Sequence, residues 1–182
     1  MPLPLLYGSL IGLAQLFATL VVFALGKHQS AEGLASAQMP ESLIGFILLM
    51  IVVSFAHRAA KTTYAQGAAL PFGAAAKFAL ATALVGGLTT GLGQYLYLAF
   101  INPGLRTLQH GIIVERAKDE LAKLSPEAAA EVMQKIDYAT SAAARGVVYG
   151  VNTLLFATLL GLAFALIFRA AIRRDTANQA SA

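Results

Sequence analysis

Nine residues from Gly86 to Gln94, GGLTTGLGQ, place Gly86 and Gly91 at the G-x-x-x-x-G spacing of a phosphate-binding loop. Such a loop needs a lysine and then a Ser or Thr after its last glycine, where a strand gives way to a helix. Here Leu92 and Gly93 follow Gly91, within a long apolar run, so nucleotide capture is set aside. The same residues suit a seam between membrane helices. Gly87 and Gly91, one turn apart, allow backbones to approach, and Thr89, Thr90 and Gln94 supply hydrogen bonds to a neighbouring helix.

Other chemistries find less support. His28, His57 and His110 lie in separate segments without a second His or a carboxylate at the i+3 or i+4 spacing that builds a metal site on a helix, so each is read as an interfacial polar residue. There is no cysteine, which rules out a thiolate nucleophile, a thiolate metal site and a disulfide. A G-x-S-x-G nucleophile turn is missing as well. The expectation is a protein that is not an enzyme and uses no cofactor.

The elements that carry these residues follow from composition. The chain has 182 residues, 58% hydrophobic and 12% charged, with a mean hydropathy of +0.69. Soluble domains carry about 25% charged residues, so the chain belongs in a bilayer. The net charge of +4 sits beside apolar runs, where anionic lipid headgroups are the natural counter-charge and nucleic acid is not an expected partner. A helical crossing takes about 20 apolar residues, and spans at about 2–26, 42–60, 72–101 and 146–168 meet that need. The first is read as an uncleaved span: its apolar run exceeds a signal-peptide core, and no Lys or Arg precedes it, although Ala35-Ser36-Ala37 resembles a cleavage site.

With these crossings both termini share one side with the loop between spans two and three. Arg58, Lys61, Lys77, Arg169, Arg173 and Arg174 crowd short segments on that side against Asp175 alone, so the positive-inside rule places both termini in the cytoplasm. Lys77 is read as snorkelling to that interface. On the other side, residues 103–142 form a hydrophilic segment of two amphipathic helices, the second opened by Ser125-Pro126-Glu127. This segment is read as a structural cap, a hairpin at the headgroups or an extension of spans three and four. The expected fold is all-α: a single membrane domain over 1–182, a four-helix bundle with this extramembrane segment between spans three and four.

Over about residues 5 to 174 the chain resembles the bacterial membrane proteins grouped as domain-of-unknown-function family 4199. The likeness is carried by Tyr7-Gly8 with Gly12, Ile44-Gly45 with Met50-Ile51, Gly67 with Phe72-Gly73, Asn102-Pro103, Ser125-Pro126-Glu127 and Gly161, with Lys61 and Tyr64 after span two. The resemblance implies four helical spans in a bacterial inner membrane. It brings no activity, ligand or catalytic residue.

Two functions are weighed. The leading one is a non-enzymatic scaffold or accessory subunit acting by helix association, as a homo-oligomer or with a membrane protein partner. Its motive is the three G-x-x-x-G pairs, Gly8 with Gly12, Gly87 with Gly91, and Gly146 with Gly150, although packing within one chain can consume them. The alternative is a small-solute or lipid transporter or channel component, with Thr89, Thr90 and Gln94 lining a path. Ser42 to Val114 contains no Asp or Glu, and spans one and four contain none, which argues against a proton- or cation-coupled carrier. Gln15 in span one and Asn152 with Thr153 in span four complete the intramembrane polar set. A hydrogen bond between Gln94 and Asn152 is expected to join spans three and four.

Overall fold

Pro2 and Pro4 stand in the first turn of a run without charge, where a missing N–H costs nothing, and the chain is helical from Leu3 to Ala24 (α1). A computed structural model describes residues 1–65 and 70–180, with side chains up to residue 167. Gly67, one of the family markers, lies outside the described residues. The side chains of Arg169, Arg173, Arg174 and Asp175, on which the orientation partly rests, lie outside them too. The further helices are α2 (Ala31–Ala65), α3 (Phe72–Leu96), continued by a π-helical turn over Tyr97–Ile101, α4 (Pro103–Leu121), α5 (Pro126–Thr140) and α6 (Ala142–Ala180). Among the described residues, Leu3–Ala24, Ala31–Ala65, Phe72–Ile101 and Ala142–Ile167 are long and apolar enough to cross a bilayer, so this is a helical membrane bundle with four candidate spans.

α3 is the central helix, packed chiefly against α6 and α1, and α2 closes the bundle against α1. Small residues explain the arrangement. A methyl group added at Gly87 would stand 2.7 Å from the Gly150 carbonyl oxygen, and one at Gly150 would stand 2.8 Å from that of Gly87. Gly91 and Gly146 repeat the relation at 2.9 and 2.7 Å. The two G-x-x-x-G pairs of α3 and α6 therefore face each other antiparallel, backbone on backbone. The pair on α1 meets the other side of α3, Gly8 against Val85 and Gly12 against Thr89. Ile11, Leu49, Val53, Ala83 and Ala157 then fill the core where all four spans converge.

The helix that carries the second span is longer than the expected span of 42–60. It begins at Ala31 and runs through Pro40. A proline inside a helix removes one ladder hydrogen bond, but the very next residue, Glu41, is tied to α1 and to the 25–30 turn, which holds the helix together at the break. Residues 103–142 fold as the helical hairpin α4–α5. Ser125 Oγ accepts the Ala128 N–H as an N-cap at 3.3 Å, and His110 Nε2 lies 2.8 Å from Asp137 Oδ1 across the pair. On the outer face of α5, Lys135 hydrogen-bonds Glu131 and holds its carboxyl below the usual carboxylate range.

Candidate functional site

The site lies at the end of the bundle that carries the 25–30 turn and the α4–α5 hairpin. Three local devices build it. Gly26, at φ 71°, ends α1 in a left-handed turn, with Lys27 N–H returning to the Val22 carbonyl at 3.2 Å. That turn folds His28 back under the helix ends, where it is buried. The π-turn closes with the Asn102 N–H on the Tyr97 carbonyl at 2.8 Å. Finally, Pro103 bars Asn102 from helical geometry. Asn102 instead caps α4 by accepting the Leu105 N–H through Oδ1 at 3.3 Å, which leaves its amide nitrogen facing Tyr97.

These devices bring together residues from α1, the turn, α2 and α3. The Asn102 amide can only donate, and it reaches the Tyr97 hydroxyl oxygen at 3.0 Å. The Tyr97 hydroxyl in turn is hydrogen-bonded to His28 Nδ1 at 2.7 Å, and the ring's Nε2 lies 3.2 Å from Glu41 Oε2. Thr19 donates to Glu41 Oε1 at 2.8 Å, and its own oxygen accepts from Gln94 Nε2 at 2.7 Å. Both chains end on the Glu41 carboxylate. Tyr97, wholly buried, is packed edge-on against Phe23 and His28.

Beside the cluster opens a cavity of about 1020 Å³. Ligand pockets commonly span roughly 300–1,000 Å³, so this one has room for a headgroup and part of a chain. Gln15, Glu41, Gln94 and Tyr97 form a polar floor. Leu105, Gln109, Ile112 and Arg116, successive residues on one face of α4, also line it, and Arg145, Tyr149, Asn152 and Thr153 form the α6 wall. The remaining edge consists of Leu43 and Phe46 on α2 and Val148 and Phe156 on α6, apolar residues exposed on the surface of spans. In the other half of the bundle, Leu49 and Val53 close α2 against Ala157 of α6. Nearer the hairpin, residues of both helices line the cavity, with Leu43, Phe46, Val148 and Phe156 exposed at its edge.

The residues singled out in the sequence are distributed as follows. Gln15 Nε2 donates to the Gly45 carbonyl at 2.8 Å, tying α1 to α2. Thr89 bonds to Gly8 O at 3.3 Å and to the Val85 carbonyl of its own helix. Thr90 is buried with its hydroxyl unpaired among the described residues. Gln94 is buried as expected, but its amide goes to Thr19 on α1 and not to Asn152, which sits exposed on the cavity wall. Gly8, Gly12, Gly87, Gly91, Gly146 and Gly150 are all engaged within the chain. Sequence reasoning missed Thr19, His28, Glu41 and Tyr97 as a set. Glu41 stands one residue before the acid-free stretch that seemed to exclude a buried carboxylate, and His28 meets it through a turn instead of a helical spacing.

Among curated proteins and among solved structures nothing matches this chain. The model of the family described as "Protein of unknown function (DUF4199)" matches residues 6–174, and the chain belongs to that family.

Proposed function

We propose that this protein binds an amphiphilic solute, a lipid or lipid-like molecule, which enters its cavity sideways from the bilayer, and that it acts in handling or transferring that solute without catalysing a reaction. The observation that carries this reading is the cavity itself: a polar floor around the half-buried Glu41, beside exposed apolar residues of α2 and α6. A carboxylate inside a membrane protein costs several kcal/mol unless it is put to use, so such groups mark solute paths. The association reading loses its motive, because the glycine pairs that suggested it are spent on contacts between α1, α3 and α6. The proposal keeps both termini in the cytoplasm of a bacterial inner membrane, which sets the cavity in the outer half of the bilayer.

The test is labelling in native membranes with a lipid analogue that carries a photoreactive group on its acyl chain, followed by peptide mapping. Adducts should concentrate on Leu43, Phe46, Val148 and Phe156. Labelling spread evenly over lipid-facing residues such as Leu88 and Phe100, both exposed, would overturn the reading.

A further inference from the structure

The direction of the hydrogen bonds decides what the floor can still accept. Gln15 gives one amide hydrogen to the Gly45 carbonyl, which can only accept, and this fixes which end of the amide is nitrogen and leaves its carbonyl oxygen without a bond among the described residues. Gln94 likewise gives its amide to Thr19, whose own hydrogen is committed to Glu41, and the Gln94 carbonyl remains. Neither amide oxygen has a hydrogen bond among the described residues. The Glu41 carboxylate accepts from Thr19 and His28, which leaves two of its roughly four lone-pair directions free. The floor therefore presents three groups that accept, one carboxylate and two amide carbonyls, beside the second N–H of each amide.

The charged groups around the cavity divide between its walls. Glu41 is the acid, and His28 is engaged at both ring nitrogens, by Tyr97 and by Glu41. Arg145 on α6 and Arg116 on α4 are the bases. Arg145 has a buried Nε–H with no partner among the described residues, and neither arginine forms an ion pair there. Tyr149 lies within electrostatic reach of both Glu41 and Arg145, so the two charges face one compartment.

We propose that the amphiphile bound here carries a primary ammonium joined to an anionic group, the chemistry of a phosphoethanolamine lipid headgroup. The ammonium donates its N–H groups to Glu41 and to the Gln15 and Gln94 carbonyls. The phosphate meets Arg145, and the acyl chains leave through the mouth between Phe46 and Phe156. A quaternary ammonium offers no N–H to these acceptors, and a headgroup with only negative charge would face Glu41. The inference rests on the amphiphile-binding reading and goes further by naming the headgroup.

The chain has no tryptophan, so Phe156→Trp installs a single reporter at the mouth, and Leu88→Trp, in a separate variant, installs one on an ordinary lipid-facing surface. Each protein is reconstituted in vesicles, and fluorescence quenching by brominated phosphatidylethanolamine, phosphatidylcholine and phosphatidylglycerol is compared. At the mouth reporter the ethanolamine lipid should be preferred about tenfold, the worth of one charge-assisted hydrogen bond. At the surface reporter no lipid should be preferred. Glu41→Gln should abolish the preference, and Arg145→Gln should weaken quenching by all three lipids at the mouth. Equal quenching by the ethanolamine and choline lipids at the mouth reporter, above that at the surface reporter, would refute the headgroup and leave amphiphile binding standing. Identical profiles at the two reporters for every lipid would refute both. Displacement of the brominated lipid by free O-phosphoethanolamine at micromolar concentration would assign the site to a soluble zwitterion and overturn the lipid source.

Discussion

The Glu41 carboxylate is fixed from two sides, by Thr19 in α1 and by His28 in the turn that follows it. Glu41 is half-buried, but Gln94, which also depends on the Thr19 hydroxyl, is buried, and stranding a buried amide costs about 1–3 kcal/mol. Thr19→Val should therefore destabilise the protein by that amount in reversible unfolding from detergent micelles, since it strips a donor from Glu41 and an acceptor from Gln94 at once. A double-mutant cycle between Thr19 and Gln94 should give a coupling of about 0.6–1.7 kcal/mol, the range for hydrogen bonds between membrane helices. The same cycle between Gln94 and Asn152 should give none, because their side chains are not bonded to each other. His28 offers a spectroscopic check. Nitrogen chemical shifts should report Nδ1 as hydrogen-bonded, and Tyr97→Phe, which deletes its hydroxyl partner, should remove that signature.

Among the elements, the α3–α6 seam carries the most rigid contact, because each missing Cβ is replaced by a backbone carbonyl and a backbone moves at high cost. Gly87→Leu or Gly150→Leu should cost at least the roughly 1–3 kcal/mol of an overpacked core. Gly73→Leu, where a Cβ meets nothing within 4 Å, should be tolerated. Thermal unfolding in detergent compares the three. The elements also show what the sequence could reveal. Spans are written in composition, and the helical run of the third stops where Asn102-Pro103 bars helical geometry by steric rule. The hairpin helices were equally plain from the Ser125 cap and the apolar stripe that follows. The start of α2 was hidden, since residues 31–41 are too polar to register as a span and Pro40 reads as a stop. The Glu41 site was lost with it. A left-handed glycine and a π-turn bring His28 and Tyr97 to Glu41, and neither leaves a periodic trace in the chain. What could be read was which polar residues sit inside the membrane; which partner each one chose depended on helix rotation that no local pattern encodes.

At the scale of the whole molecule, a core of Ile11, Leu49, Val53, Ala83 and Ala157 joins the four spans, and nearer the hairpin residues of α2 and α6 line the cavity. Closing the cavity edge between these two helices should block solute binding without unfolding the rest. A pair of cysteines at Phe46 and Phe156, crosslinked by a short bifunctional reagent, should eliminate lipid labelling of the cavity walls and leave helicity unchanged by circular dichroism. The most direct measurement is an experimental density map of the protein in lipid nanodiscs. The expected result is a head-and-chain density with its head against Glu41, Gln94 and Arg145 and its chains passing between Phe46 and Phe156. A cavity that holds only water, or α2 and α6 in contact along their whole length, would contradict the account.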